Sequence, residues 1–200
     1  MIKLIHKVPK TVYVACSGGV DSMAALDFLG HNHKVTAAFF NHGTEASMLA
    51  WEFLYDYCKD NDIGLVSATI GKLKLNSLSQ EEHWRNERYK FLDSIGHPVI
   101  TAHHLDDAVE TWVWSSMHGT AKLPQIVRGN VIRPFLATRK QDLIDWCVNH
   151  NVPWIKDLSN LDTKFTRNYI RNEMMSHVLR VNPGIHKMVK KRLTNDTKAL

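Results

Sequence analysis

Two stretches of this chain hold residues that can do chemistry. The first runs from Thr11 to Leu26 and reads Thr-Val-Tyr-Val-Ala-Cys-Ser-Gly-Gly-Val-Asp-Ser-Met-Ala-Ala-Leu. A β-rich run over 11–16 turns through Ser17, Gly18 and Gly19 and passes into a helix over 21–29. Such a loop brings backbone N–H groups and the positive end of a helix up to a phosphate. The glycines permit positive φ and close approach, and Ser17 and Ser22 add hydroxyl donors. Asp21 beside a phosphate requires a cation between the two, as Mg²⁺ would be. No G-x-x-x-x-G-K-[ST] pattern occurs, which argues against a Walker-type loop. On the glycines alone, an ordinary strand–turn–helix corner reads equally well.

The second stretch is Thr101-Ala-His-His-Leu-Asp-Asp-Ala-Val-Glu-Thr111. A helix starting near Leu105 sets Asp106 and Glu110 at i,i+4 and Asp107 and Glu110 at i,i+3, so the three carboxylates share one face. Beside His103 and His104 they can hold Mg²⁺, hold an ammonium group or take a proton from a nucleophile. The plain alternative is acidic charge at a helix N-terminus. A histidine–aspartate metallohydrolase would need further ligands on other helices, and no clear partner set is seen. Farther on, Arg167 and Arg171 stand one turn apart, with Asn168 between them, a spacing that suits phosphate contact.

The elements that must position these groups alternate strand and helix. A β-like run over 34–40 ends in Asn41-His42-Gly43. Thr44 caps a helix whose apolar stripe is Ala46, Leu49, Ala50, Phe53, Leu54 and Tyr57. A third strand covers 63–70, and a loop with two lysines covers 71–78. Ser79-Gln-Glu-Glu82 opens a helix to about Ile95, with Arg85 and Arg88 on one face. A short fourth strand covers 97–102. This alternation predicts an α/β fold with a doubly wound parallel sheet. Ligands of such sheets sit at the carboxyl ends of strands, where Ser17–Ser22, Asn41-His42-Gly43 and His103-His104 all fall.

After Met117 the pattern breaks, and the stretch Val131 to Phe135 follows. Thr138-x-x-Gln141 caps a helix to His150, and Asp157, Ser159, Asn160 and Asp162 mark a polar turn. Helices over 165–181 and from Asn182-Pro183 follow, rich in basic residues. Lys187, Lys190, Lys191 and Arg192 read as a solvated face, and Trp112, Trp114, Trp146 and Trp154 as packing residues. The reading assigns 1–136 to a catalytic domain and 137–200 to a helical C-terminal extension of that domain.

Composition narrows the class. The formal charge is +5, from 25 Lys and Arg against 20 Asp and Glu, which favours an anionic partner such as nucleic acid. Cys16, Cys58 and Cys147 are widely spaced with no C-x-x-C, the pattern of reduced thiols. Residues 1–10 lack the apolar core of a secretory signal, and no run approaches the ~20 apolar residues that span a bilayer. A cytoplasmic protein with no membrane partner is expected.

Taken together, Ser17-Gly-Gly-Val-Asp-Ser22, Asn41-His-Gly43, Glu82 with Arg85 and Arg88-Tyr89, and the 101–111 run resemble the tRNA(Ile)-lysidine synthetase family. Arg133-Pro-Phe-Leu136, Trp154-Ile-x-Asp157, Ser159-Asn160-x-Asp162 and Arg167-Asn168-x-Ile-Arg171 extend the resemblance to about residue 183. The family lies in the PP-loop ATP-pyrophosphatase superfamily, with its adenine nucleotide alpha hydrolase-like fold. The resemblance implies that ATP adenylates the C2 oxygen of a wobble cytidine in a tRNA with a CAU anticodon. Free L-lysine then displaces AMP to give lysidine. It implies catalytic roles for Asp21, Arg88, His103, Asp107 and Glu110, and ATP contacts from Ser17, Gly18, Gly19, Asp21, Ser22 and Asn41. It implies tRNA contacts from Arg85, Arg167, Asn168 and Arg171, and Mg²⁺ at Asp21 and Asp106. The sequence departs from the family pattern at Ala108, where an amide side chain is usual, and it suggests a minimal form without further C-terminal domains. A PP-loop tRNA thiolation enzyme would carry C-x-x-C pairs, and an amidotransferase-type relative would need an ammonia-supplying partner. A non-catalytic tRNA-binding relative would not need the full set of carboxylates. The spacing leaves oligomeric state open.

Overall fold

The computed structural model describes residues 1–71, 80–156 and 166–198. The 72–79 loop with Ser79 of the capping pattern, and the polar turn from Asp157 to Asp162, lie outside the described residues. A six-stranded sheet has the order β3–β2–β1–β4–β6–β5. Its strands are β1 (Thr11–Ala15), β2 (Lys34–Asn41), β3 (Gly64–Thr69), β4 (Val99–Ile100), β5 (Val127–Arg128) and β6 (Val131–Ile132). All neighbours are parallel except β5, which pairs antiparallel with β6 at the edge. The chain winds outward from β1 through β2 to β3, then returns to β4 on the other side of β1. The doubly wound α/β architecture expected from the sequence is the one found.

Strand alternation decides which helix lies where. Val12, Val14 and Cys16 on and after β1, with Ala37 and Phe39 on β2, face α1 (Val20–Gly30) and α2 (Glu45–Asp60). Leu143 and Cys147 of α5 (Lys140–Asn149) join the same core. Met23, Leu26 and Leu29 of α1 are fully buried in it, each contributing about 1.5–3 kcal/mol relative to exposure. On the opposite face, Tyr13, Ala15, Val99 and Val131 meet Tyr89 and Leu92 of α3 (Gln80–Ser94). A third cluster joins α4 (Leu105–Met117) to α8 (Ile185–Lys198). Ile170 closes that cluster. It lies in a π turn, Ile170–Met174, between α6 (Thr166–Tyr169) and α7 (Met175–Val181).

Several local expectations shift. Thr44 does cap α2, its hydroxyl accepting from Ser47 N–H at 3.2 Å. The buried face of α2, however, is Ser47, Ala50, Leu54 and Cys58, while Leu49 is 59% exposed and Ala46 is exposed. The helix is rolled so that the Ser47 hydroxyl can reach Asn41 Oδ1 at 2.9 Å. Thr138 does not cap α5. Its hydroxyl donates to the Lys3 carbonyl at 2.8 Å and accepts from Lys3 N–H, fastening the N-terminal segment. The stretch over 131–135 splits into β6 and a 3-10 turn at Pro134–Ala137. All three cysteines are buried and unpaired. Among the described residues no helix is long and apolar enough to cross a membrane.

Candidate functional site

The point where the strand order reverses, between the carboxyl ends of β1 and β4, is where a doubly wound sheet opens a crevice. The loop after β1 and the segment after β4 meet there. Ser17 N–H donates to Ser22 Oγ at 3.2 Å, and that hydroxyl donates to the Gly19 carbonyl at 2.9 Å. Gly18 has φ +80°, and a Cβ there would lie 3.1 Å from Ile155 Cδ1, so glycine alone suits the position. Gly19 is the N-cap of α1 and offers no side-chain cap. The first-turn N–H groups of α1 therefore remain to receive an anion.

Asp21 points from this first turn toward the partner segment. Its Oδ2 stands 3.6 Å from Nε2 of His104, and its Oδ1 is buried with no hydrogen-bond partner among the described residues. His104, only 1% exposed, is the N-cap of α4: Nδ1 accepts from Asp107 N–H at 3.3 Å, while Asp107 Oδ2 accepts from His104 N–H at 3.0 Å. That reciprocal box puts the neutral imidazole's proton on Nε2, facing Asp21 and Asp107. Burial acts to lower the His104 pKa, but Asp107, Asp21 and Asp106 outweigh it and the net direction is upward. The resemblance implies a catalytic role for His103, and the structure adds His104 beside Asp21 and Asp107. The signal for His104 was its position immediately before Leu105, the slot of an N-cap.

Asp107 and Glu110, 6% and 5% exposed, stand side by side and are answered by two arginines. Asp107 Oδ1 accepts from Arg167 Nη2 at 2.7 Å and from Arg171 Nη2 at 2.8 Å. Glu110 accepts from Arg171 Nε at 2.7 Å and Nη2 at 2.9 Å, and from Arg167 Nε at 3.5 Å. Burial would raise the Asp107 pKa, yet His104, Arg167 and His103 hold it well below the usual carboxylate range. The arginines expected to meet phosphate are thus, in this structure, the counter-charges of the acidic pair. Arg171 sits in the π turn, a distortion common at functional sites.

Asp106 does not share the face of the other two carboxylates. It turns toward α5 and α8, accepting from Lys140 N–H at 2.8 Å, with His186 Nε2 at 3.1 Å and Arg139 Nη2 at 3.3 Å. Asp106 Oδ2 also stands 3.8 Å from Nδ1 of His104, the ring whose Nε2 faces Asp21, and among the described residues no group of three or more His, Cys, Asp or Glu is arranged to hold a metal. Ala108 is fully buried against the α8 core, so no amide could reach the acidic pair from that position. Asn41 Oδ1 is taken by Gly43 N–H at 2.8 Å and by Ser47. Lys190 donates to the Ala137 carbonyl at 2.8 Å, and Arg192 lies 4.5 Å over the Trp112 ring. These two cations of the expected solvated face are therefore engaged, whereas Trp114 is 45% exposed rather than packed.

His103 is held by Thr101, whose Oγ1 lies 2.9 Å from Nδ1. Burial first, then repulsion from Arg167, Arg133 and Arg88, overcomes Asp107 and pushes its pKa down to about 3. The unfolded value is near 6.5. Between about 6.5 and about 3 the unfolded chain binds a proton that the folded chain refuses, so His103 makes stability fall as pH falls through that window. His104 has the opposite sign: its contribution is present below about 6.5 and fades as pH rises through its elevated folded value. His103→Asn should therefore flatten the acid limb of unfolding free energy against pH by about one proton. Denaturant titrations across that range measure it, and an unchanged slope would contradict the assignment.

A family model described as a PP-loop domain matches residues 2–178. The tRNA(Ile)-lysidine synthase of Legionella pneumophila (strain Paris) is 31% identical over 192 residues, covering 88% of this chain and 44% of that protein. The one from Thermosipho africanus is 30% identical over 210 residues, covering 92% and 47%. The chain thus spans less than half the length of these relatives. Among solved structures, NH3-dependent NAD synthetase from Campylobacter jejuni is similar with TM-score 0.54 and 16% identity, covering 94% of this chain and 86% of that one. NMN synthetase from Francisella tularensis is similar with TM-score 0.50 and 13% identity, covering 94% and 85%. Such likeness speaks to the fold alone. With the glycine loop at the switch point and the whole sheet inside the matched span, the chain belongs to the PP-loop domain family.

Proposed function

We propose that this chain joins L-lysine to C2 of the wobble cytidine of a tRNA with a CAU anticodon, at the expense of ATP. The observation that carries the reading is the acidic pair. Asp107 and Glu110 already receive cationic nitrogen at 2.7–2.9 Å, next to a loop built for phosphate. The relatives named tRNA(Ile)-lysidine synthase support the same reading.

In the first step the cytidine C2 oxygen attacks the α-phosphorus of ATP, and pyrophosphate leaves. The 17–22 loop and the start of α1 hold the phosphates. The orphaned Oδ1 of Asp21 fits one position on Mg²⁺, which when bound would screen phosphate charge; the engaged oxygens of Asp106 do not fit it. In the second step the lysine ε-nitrogen attacks C2 and AMP leaves with the C2 oxygen. Lysine arrives as an ammonium, with pKa about 10.4, and must lose one proton before attack and another as the C–N bond forms. Asp107, held well below its ordinary pKa, is a poor proton acceptor and a good anchor. The anchoring role falls to Asp107; Glu110 takes the first proton, and the second leaves to water.

The test is an assay of purified protein with ATP, labelled lysine and a CAU-anticodon tRNA transcript. AMP release should require both tRNA and lysine, and the label should enter RNA. Stimulation by sulfide or a persulfide carrier, with none by lysine, would overturn the reading in favour of thiolation.

A further inference from the structure

Beside the acidic pair lies a cavity of about 270 Å³ whose wall is strongly basic. Four arginines converge on one tyrosine there. Arg133, 5% exposed, donates from Nη2 to the Tyr89 hydroxyl at 2.9 Å and from Nη1 to the Gln125 carbonyl at 2.6 Å. The guanidiniums of Arg128, Arg85 and Arg88 lie 4.5, 5.3 and 5.9 Å from the centre of the Tyr89 ring. Among the described residues none of the four forms an ion pair with a carboxylate. Like charges gathered so closely repel, and a buried guanidinium without an anion is costly. The tyrosine ring offsets part of that cost through cation–π contact, but it carries no net charge. The arrangement is held rigid: Asn130, in the turn between β5 and β6, donates to the carbonyls of Leu92 at 2.7 Å and His97 at 3.1 Å, tying the hairpin that bears Arg128 to the α3 end. A preorganised cluster of planar guanidiniums with no carboxylate partner among the described residues matches the geometry of a phosphate.

We infer that this chamber seats a phosphodiester of the RNA strand, the one flanking the nucleotide that reacts. The inference rests on the functional reading above. Strand order selects RNA over the pyrophosphate of ATP. The glycine loop follows β1, and the chamber is walled by α3 and the β5–β6 hairpin on the far side of β4. His103 and Asp107 stand between the two and also line the chamber. A nucleotide reaching the acidic pair from that side brings its backbone phosphate against Arg133. Arg85 and Arg128 are exposed at the mouth, where the strand enters. The covered Tyr89 ring holds the arginines together and is not a platform for base stacking.

The test is a double-mutant cycle between protein and RNA. An anticodon stem-loop is made with single neutral methylphosphonate linkages on either side of the reacting cytidine. For wild-type protein, one such linkage should weaken binding about 10- to 100-fold, the loss expected of charge-assisted hydrogen bonds. For R85Q/R128Q, at exposed positions, the same linkage should cost several-fold less than it costs wild type, because Arg133 alone is left to meet the phosphate. R133K keeps the charge and loses the fork, and should raise the KM for RNA while leaving the KM for ATP unchanged; circular dichroism and melting check its fold. An undiminished linkage penalty in R85Q/R128Q overturns the inference. So does a raised KM for ATP or weakened pyrophosphate inhibition with RNA binding intact, which would make the chamber a pyrophosphate site. If wild-type protein neither binds nor modifies any tRNA, the functional reading falls first and takes this one with it.

Discussion

Asp21→Asn should lower ATP-dependent pyrophosphate release by about 10²- to 10³-fold, the scale of losing one electrostatic stabiliser of a reacting phosphate. Stability should barely change. Among the described residues the buried Oδ1 of Asp21 has no hydrogen-bond partner and Oδ2 stands 3.6 Å from Nε2 of His104, so the amide breaks no close bond. The melting transition should therefore stay within about 1 kcal/mol of wild type. A buried, unpaired carboxylate oxygen at a helix start otherwise lacks a reason to be there. Pyrophosphate release measured with tRNA and lysine at saturation checks it. Turnover near the wild-type rate would mean that Asp21 stands outside the phosphate chemistry.

Asp107→Asn should separate the two half-reactions. Lysine incorporation should fall about 10³-fold, since the anchor for the ammonium and its orientation are both lost. A tRNA-dependent burst of pyrophosphate should survive, because Oδ1 of Asp107 faces the arginines and Oδ2 faces Asp21 of the glycine loop only through His104. This variant costs stability, for Arg167 and Arg171 lose a charged acceptor at 2.7 and 2.8 Å. Both arginines are partly exposed, at 45% and 25% of the side chain, so the cost should be about 1–3 kcal/mol, below that of a fully buried pair. Rapid-quench measurement of pyrophosphate and of labelled RNA distinguishes the outcomes. Equal loss of both steps would make Asp107 a structural residue of the whole site.

Much of this site was legible because its parts are local. The strand–glycine–helix run over 11–26 contains its own instructions, and the three strand ends that carry polar clusters follow from the winding rule. What escaped was nonlocal or very short. Strands β5 and β6 have two residues each, too few for alternation to show. Asp106 turned away from Glu110, although spacing put them on one face, because His186 and Lys140 arrive from helices far along the chain. Arg133 looked like part of a motif without a task. Its meaning comes from Tyr89, 44 positions upstream, which no spacing rule connects to it.

The resting acidic pair has a further consequence. Two carboxylates bridged by two guanidiniums form a neutral lattice, so this corner behaves as an ion exchanger. A newcomer cannot simply be added to it; it must trade places with a cation already seated. The occupant that leaves is tethered to the chain by the π turn at 170–174, so it stays at high local concentration and ready to return. An uncharged analogue of the incoming amine has nothing to trade and finds both seats taken. On the proposed function, selectivity for a cation is thus imposed before any contact with the rest of the incoming molecule, by a competitor that the protein itself supplies.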